Sequence, residues 1–336
     1  MQPTTEAVRL YFSSPLHIGR GATELDKTDV VYHSDALKSA LYAVGLSYYP
    51  EWQSAPDTFF NSFRISSAFP FCGDELFLPK PYFQMQFGFA ATAEEKGAKK
   101  AKKISFISIR LFQQWMQQPN QPLPVQEAQL SPGGSYLFSN AVNAKAFLHA
   151  GIQQRVQVPA GEEGEDARPF YFDRLFFEQD SGLYFLAQFA NDNIRQQVLH
   201  ALTLLGTLGI GTDRTVGNGL FQFDKAKHIA PFNFPEKTSG HLRMNLGLYL
   251  PTREELNRIN LDDSYWQLIK RGGYLAGSSY EKFLSLRKNS IYFFAEGSVL
   301  NTDTALNGRC TNLRPEYNDA DLHPVYRCGQ PLFITL

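Results

Sequence analysis

The chain has 336 residues, and 32 basic against 33 acidic side chains leave a formal net charge of -1. Hydrophobic residues make up 43% and charged ones 19%, ordinary globular usage that excludes a fibrous or disordered chain. The near-zero charge withholds the usual electrostatic sign of a nucleic-acid binder, so any such role must rest on local patches. At about 100 to 200 residues per domain, the length predicts two domains. The most apolar stretch, residues 198–208, is interrupted by His200 and Gly206 and falls short of the roughly 20 residues of a membrane span. Residues 1–6 lack a basic segment leading into an apolar one, so no secretory signal is read and a soluble cytoplasmic protein is expected. Cys72, Cys310 and Cys328 come without a CxxC pair or a His/Cys cluster, which predicts three buried thiols, no metal site and no cofactor.

Near the N-terminus Val8, Leu10 and Phe12 alternate with Arg9 and Tyr11, the two-residue period of a strand with one buried face. A loop with Pro15, Gly19 and Gly21 leads to Ser34 as N-cap and Asp35 as first-turn acid. Leu37, Ala40, Leu41 and Val44 then fall on one helical face. Lys96, Lys99, Lys100, Lys102 and Lys103 form a basic run, read as a solvated loop with a nucleic-acid contact as the alternative. Residues 119–134, rich in Pro, Gln and Gly, read as loop. Between Pro159 and Pro169, the acids Glu162, Glu163, Glu165 and Asp166 predict a mobile hairpin tip too negative to touch phosphate.

Residues 170–177 and 183–189 are aromatic-rich strands joined by a reversal at Asp180, Ser181 and Gly182. Asp192 is placed as the cap of a helix that buries Ile194, Val198, Ala201, Leu202, Leu205 and Leu208. After a glycine-rich loop, Leu220, Phe221 and Phe223 predict another strand. Strand, helix, strand, strand, helix, strand, enlarged by an insertion, is the ferredoxin-like order of an α+β fold. Two helices on one face of an antiparallel sheet leave the other face available for single-stranded RNA, with Tyr11 or Phe12 as stacking candidates. Residues 231–240 read as a linker. Leu242, Met244, Leu246, Leu248 and Leu250 then alternate with polar or small residues as a strand, and Thr252 with Glu255 forms a capping box that opens a helix. With strands at 291–295 and 331–336, a second ferredoxin-like domain over 241–336 is expected after a first over 1–230.

The segment 209–219 is the most informative. Gly209, Gly211, Gly217 and Gly219 lack a Cβ and can bring backbone N–H groups close to an anion, and Arg214 can add a two-pronged contact to phosphate. It contains neither GxxxxGK[ST] nor GxGxxG, which removes the P-loop and dinucleotide readings. A helix C-cap followed by a turn needs only one or two glycines, so the surplus points to a nucleic-acid backbone.

This helix and loop, the run from Leu10 through Pro15, His17, Gly19, Arg20 and Gly21, and the stretch from His33 to Leu37 resemble the RAMP superfamily of CRISPR proteins. More narrowly, Ile65 to Phe71, Leu78 to Pro81, and His323 to Gly329 resemble the fourth-subunit family of type III-A (Csm) effector complexes. That resemblance implies a non-catalytic subunit with two ferredoxin-like domains and a thumb-like hairpin, which would lie within 140–177. It also implies partners: the 5′ handle of the CRISPR RNA, the large Palm-domain subunit, the adjacent RAMP backbone subunit, and target RNA near the thumb. Mapped here, the RNA site comprises His17, Gly19, Arg20, Gly209, Gly211, Arg214, Gly217 and Gly219. Thr212 stands where the family often has glycine, with the acidic Asp213 beside it. Three alternatives stay open: a metal-independent endoribonuclease of repeat RNA using His17 or His33 as general acid or base, a metal-assisted cutter using Asp26 or Asp29, and a scaffold that never touches RNA.

Overall fold

The computed structural model describes residues 4–19, 24–89, 94–157, 168–225, 227–233, 240–275 and 280–336. Strand β1 (Thr5–Phe12) buries Val8 and Leu10 as its alternation requires. Helix α1 (Ser34–Gly45) is capped one residue earlier than expected, at His33, because the Ser34 hydroxyl accepts instead from the Leu248 amide. Asp35 is fully buried rather than a solvated first-turn charge. Short helices α2 (Glu51–Ser54) and α3 (Pro56–Asn61) lead into β2 (Phe63–Ile65), β3 (Phe69–Cys72), β4 (Glu75–Pro79) and β5 (Phe87–Phe89).

The lysine run is not a loop but helix α4 (Glu94–Lys103). Lysine, alanine and glutamate are good helix formers, and cations suit a helix C-terminus. After it come β6 (Phe106–Ser108) and α5 (Ile109–Gln117). The stretch read as loop contains β7 (Leu123–Val125), which runs parallel to β5. Beyond β8 (Tyr136–Leu137), strands β9 (Leu148–Gln157) and β10 (Arg168–Phe177) form a long antiparallel ribbon, Leu148 opposite Phe177 at its base. The acidic tip lies outside the described residues.

Strand β11 (Ser181–Phe189) follows a turn at Asp180, whose φ is 57°. The reversal does not make a hairpin with β10: β11 pairs with β1, β2 and β3 instead. Helix α6 (Asp192–Leu208) is capped by Asn191, whose side chain accepts from the Ile194 amide at 2.9 Å, rather than by Asp192. Val198, Ala201, Leu202 and Leu205 are buried, but Leu208 in the last turn is 54% exposed. β12 (Phe221–Gln222) and β13 (Ile229–Phe232) both pair with β1, so the expected linker begins inside a strand; residues 234–239 lie outside the described residues.

The main sheet has the order β12-β1-β11-β3-β4-β6-β8, with its first strands antiparallel. One face carries α1 and α6, packed through Leu37, Leu41, Val198 and Leu202 onto Val8, Leu10 and Phe185. The other face is not open, contrary to expectation. Phe69, Phe71, Tyr184 and Leu186 are covered by α5 residues Phe112 and Trp115 and by Met244, Leu246, Leu332 and Ile334 of the C-terminal part. Tyr11 packs on Phe71 at 5.1 Å and Phe12 stacks on Phe177 at 5.0 Å, so neither is a free stacking platform.

The C-terminal part contains β14 (Leu242–Asn245), α7 (Arg253–Arg258), β15 (Asn260–Tyr265), β16 (Leu268–Arg271), β17 (Ile291–Phe294), β18 (Val299–Asn301), β19 (Cys310–Asn312), β20 (Tyr326–Cys328) and β21 (Phe333–Thr335). An antiparallel sheet runs β15-β18-β14-β21. Only the first half of the 242–250 alternation is strand, yet Leu246, Leu248 and Leu250 remain buried. The capping box is formed in both directions. Cys310 and Cys328 face each other across β19 and β20 and form a disulfide, while Cys72 is free and buried. The expectation of three thiols fails because register, not spacing, brought the pair together.

Candidate nucleic-acid interface

Helix α6 ends at Gly209, whose amide donates to the Leu205 carbonyl at 2.8 Å. Gly209, Gly211, Gly217 and Gly219 all have positive φ, from 73° to 85°. A Cβ would meet the Asn218 carbonyl oxygen at 2.6 Å from Gly209, that of His17 at 2.3 Å from Gly211, and that of Ile210 at 1.9 Å from Gly219; only Gly217 opens onto empty space. The loop folds back on itself and onto the segment after β1, with Gly219 N donating to Pro15 O, Thr212 N to His17 O and Ile210 N to Gly219 O. Three of the four glycines are therefore required by the fold, and those amides already have partners. The surface the loop offers is residues 212–217, where Thr212, Arg214, Thr215 and Val216 are exposed.

Asp213 does not face outward with them. Its carboxylate takes Arg155 of β9 at 2.5 Å and the Asn218 amide at 2.9 Å, and Arg155 lies over the Phe172 ring at 4.7 Å. The acid thus ties the ribbon to the glycine loop, and its charge is neutralised before any phosphate could meet it. His17 is fully buried, its ring 4.3 Å from that of Phe172 and its Nδ1 2.6 Å from the Asp173 carbonyl oxygen. It positions the ribbon and presents nothing to solvent. Gly19 bridges to Thr28, and a Cβ there would touch Thr212. The expected residues do converge on one corner, where the loop after β1, the glycine loop and the ribbon meet. Arg20 lies outside the described residues.

A cluster that the sequence reading did not assign lies beside that corner. Tyr32 is buried, which raises its phenol above the ordinary value; Arg214 and Arg327 act on it in the opposite sense, and the Gly211 amide reaches it. Asp35 pairs with Arg271 at 3.1 Å and Arg327 at 3.3 Å. Burial works against its charge, but the two guanidinium groups outweigh it and hold the carboxyl below its ordinary range. Lys288 is pushed down to about 8 by burial and by repulsion from Arg327. Arg271, Arg327 and Lys288 thus gather around Asp35 at the N-terminus of α1, with Glu296 also acting on Arg271, and the helix dipole adds further positive potential. Arg327 falls inside the 323–329 stretch noted in the sequence, but nothing in that stretch announced its partner 292 residues away.

His33 points the other way, into the junction with the C-terminal part. Its Nδ1 lies 2.7 Å from Glu296, which also accepts from the Ser67 hydroxyl. Burial disfavours the imidazolium, yet Glu296 overrides it and raises His33, while Glu296 itself is held low against the burial cost. Asp29 accepts from the Val30 amide at 2.7 Å, a local turn contact. Among the described residues no group of three or more His, Cys, Asp or Glu side chains could hold a metal, and no helix is long and apolar enough to cross a membrane.

Residues 238–336 match the family described as the CRISPR Csm4 C-terminal domain. A CRISPR system Cms protein Csm4 from Thermococcus onnurineus (strain NA1) is 26% identical over 255 residues, covering 74% of this chain and 73% of that protein. Among solved structures, a Csm3-Csm4 subcomplex of the type III-A CRISPR-Cas interference complex aligns with TM-score 0.66 and 17% identity over 99% of each chain. A Csm1-Csm4 cassette with cA4 aligns with TM-score 0.60 and 18% identity, over 99% of this chain and 98% of the other.

Proposed function

We propose that this chain, a Csm4-type RAMP protein, is the RNA-binding, non-catalytic subunit of a type III-A Csm interference complex that caps and anchors the 5′ handle of the CRISPR RNA. In this reading each part of the chain is a ferredoxin-like domain: β12-β1-β11-β3 and β21-β14-β18-β15 share the strand order of that fold. The β9 and β10 ribbon is the thumb, near target RNA. The large Palm-domain subunit and a RAMP backbone subunit are the protein partners, as the names of the Csm1-Csm4 and Csm3-Csm4 structures suggest by analogy. The compartment is the cytoplasm.

The observation that carries the reading is the concentration of Arg214, Arg271, Arg327 and Lys288 near the N-terminus of α1, in a chain whose net charge is -1. With both faces of the main sheet covered, the guide strand runs along this corner rather than over the sheet. The nuclease alternative gains no support, since His17 is sealed in and His33 is committed to Glu296. The test is to incubate assembled complex with labelled repeat-derived RNA, with and without divalent metal, and to measure retention and cleavage. Retention without cutting is expected, and Arg214→Gln should lower the salt slope by about 0.7 for each phosphate that the side chain no longer neutralises. Metal-independent cutting, or an unchanged slope and affinity, would overturn the respective assignment.

A further inference from the structure

A cleft of about 520 Å³ lies where α1 meets the C-terminal part. Ser39, Tyr42 and Ala43 of α1 form one wall, and Tyr274, Lys288 and the segment from His323 to Arg327 form the other. Its size falls within the roughly 300–1,000 Å³ of ordinary ligand pockets, and domain junctions are where such pockets concentrate. Its chemistry is one-sided: the lining contains Lys288, Arg327 and His323 and three tyrosines, but no carboxylate. Asp35 behind the wall is shared between Arg271 and Arg327, so the cluster keeps an excess of positive charge. His323 Nε2 is buried there without a hydrogen-bond partner among the described residues. Tyr42 and Tyr326 meet edge to face at 5.9 Å with Phe60 packed against both rings, and the two tyrosines line the cleft together with the cations.

We propose that this cleft is a binding site for a single nucleotide, its phosphate held by Lys288 and Arg327 and its base against Tyr42 and Tyr326. Cation beside aromatic ring is the pairing that recognises a phosphate attached to a flat base. Neutral ligands gain nothing from the excess charge, and a bare anion leaves the tyrosines uncovered. The lowered Lys288 is consistent with a site short of negative charge, which a phosphate would supply. The nucleotide is either free or one residue of the guide strand; in the second case the site rests on the RNA-binding reading above.

The test uses the full chain and AMP, GMP, CMP and UMP as probes, followed by calorimetry, with the four nucleosides and inorganic phosphate as controls. At least one nucleoside monophosphate should bind more tightly than its nucleoside or phosphate. Lys288→Gln should weaken it about tenfold, the worth of one charge-assisted hydrogen bond. Ala43→Trp, on the exposed side of the cleft, should block it without changing the melting temperature. In parallel, repeat-derived RNA carrying 4-thiouridine is photocrosslinked to the chain. Crosslinks at Tyr42, Tyr274 or Tyr326 that mononucleotide displaces assign the site to the guide strand; mononucleotide binding that RNA leaves intact assigns it to a free nucleotide. Absence of both, or binding untouched by Lys288→Gln and Ala43→Trp, overturns the proposal. RNA retained through Arg214 with the cleft empty would sink the cleft alone, and mononucleotide bound without RNA retention would sink the handle reading alone.

Discussion

Gly217 and Gly219 share a left-handed backbone but not their surroundings, and that difference separates strain from collision. Gly217→Ala adds a methyl group to empty space and incurs only the conformational cost of positive φ, about 1–2 kcal/mol. Gly219→Ala places Cβ 1.9 Å from the Ile210 carbonyl oxygen, so the loop must unfold locally to accept it. Thermal melting should therefore show a modest loss for the first and a much larger one for the second; equal losses would mean that the loop is free to rearrange. The glycines were legible as a special site, but their number misled. Sequence displays residue types, whereas the reason for three of them is close approach, of the loop to itself at Gly209 and Gly219 and of segment 16–17 at Gly211, which sequence does not display. The same limit hid Lys38, a buried lysine satisfied by the Phe60 and Phe63 carbonyls at 2.7 Å rather than by an acid.

At the scale of elements, what was legible was local. The capping box at Thr252 and Glu255 forms as the residue types require, and the period of β1 marks its buried face. What was not legible is that Glu255 also accepts from the Asn307 and Gly308 amides, so one carboxylate caps α7 and ties down a distant loop. Thr252→Ala should cost about 1 kcal/mol, the usual value of an N-cap. Glu255→Ala should cost more, since it strands two further amides; equal costs in urea unfolding would show that the loop contacts contribute nothing. The ribbon was placed by resemblance, but its docking was not. The Arg155 pair with Asp213 is largely shielded, at 24% and 20% side-chain exposure. A double-mutant cycle with Arg155→Gln and Asp213→Asn should give a coupling of about 1 kcal/mol. A coupling indistinguishable from zero would mean that the ribbon is held without this pair, by the exchange of backbone hydrogen bonds between Leu16 and Leu175 and by the contacts of Phe172 and Phe177 with His17 and Phe12.

The molecule as a whole is closed around polar and apolar contacts between its two parts. Met244, Leu246, Leu332 and Ile334 share one core with Phe69, Tyr184 and Leu186, so a chain cut after residue 230 should expose that face and aggregate. The buried pair of His33 and Glu296 makes the same junction sensitive to pH. Glu296 is held below its ordinary 4.5, so its contribution to stability is present above that value and is lost as pH falls through the lowered value. His33 is raised above its ordinary 6.5, so its contribution is complete below 6.5 and is lost as pH rises through the raised value. The pair therefore stabilises the junction most between 4.5 and 6.5, with Glu296 ionised and His33 protonated. Other carboxylates, Asp35 among them, also weaken the fold in acid, so the informative quantity is the difference between the native chain and His33→Gln. That difference in unfolding free energy should be largest in this window and should shrink on its alkaline side, because the glutamine cannot lose a proton. A difference that stays constant from about pH 5 to 8 would mean that His33 binds its proton equally well folded and unfolded, so that Glu296 does not raise it, and a difference that grows with pH would mean that the folded chain holds His33 neutral.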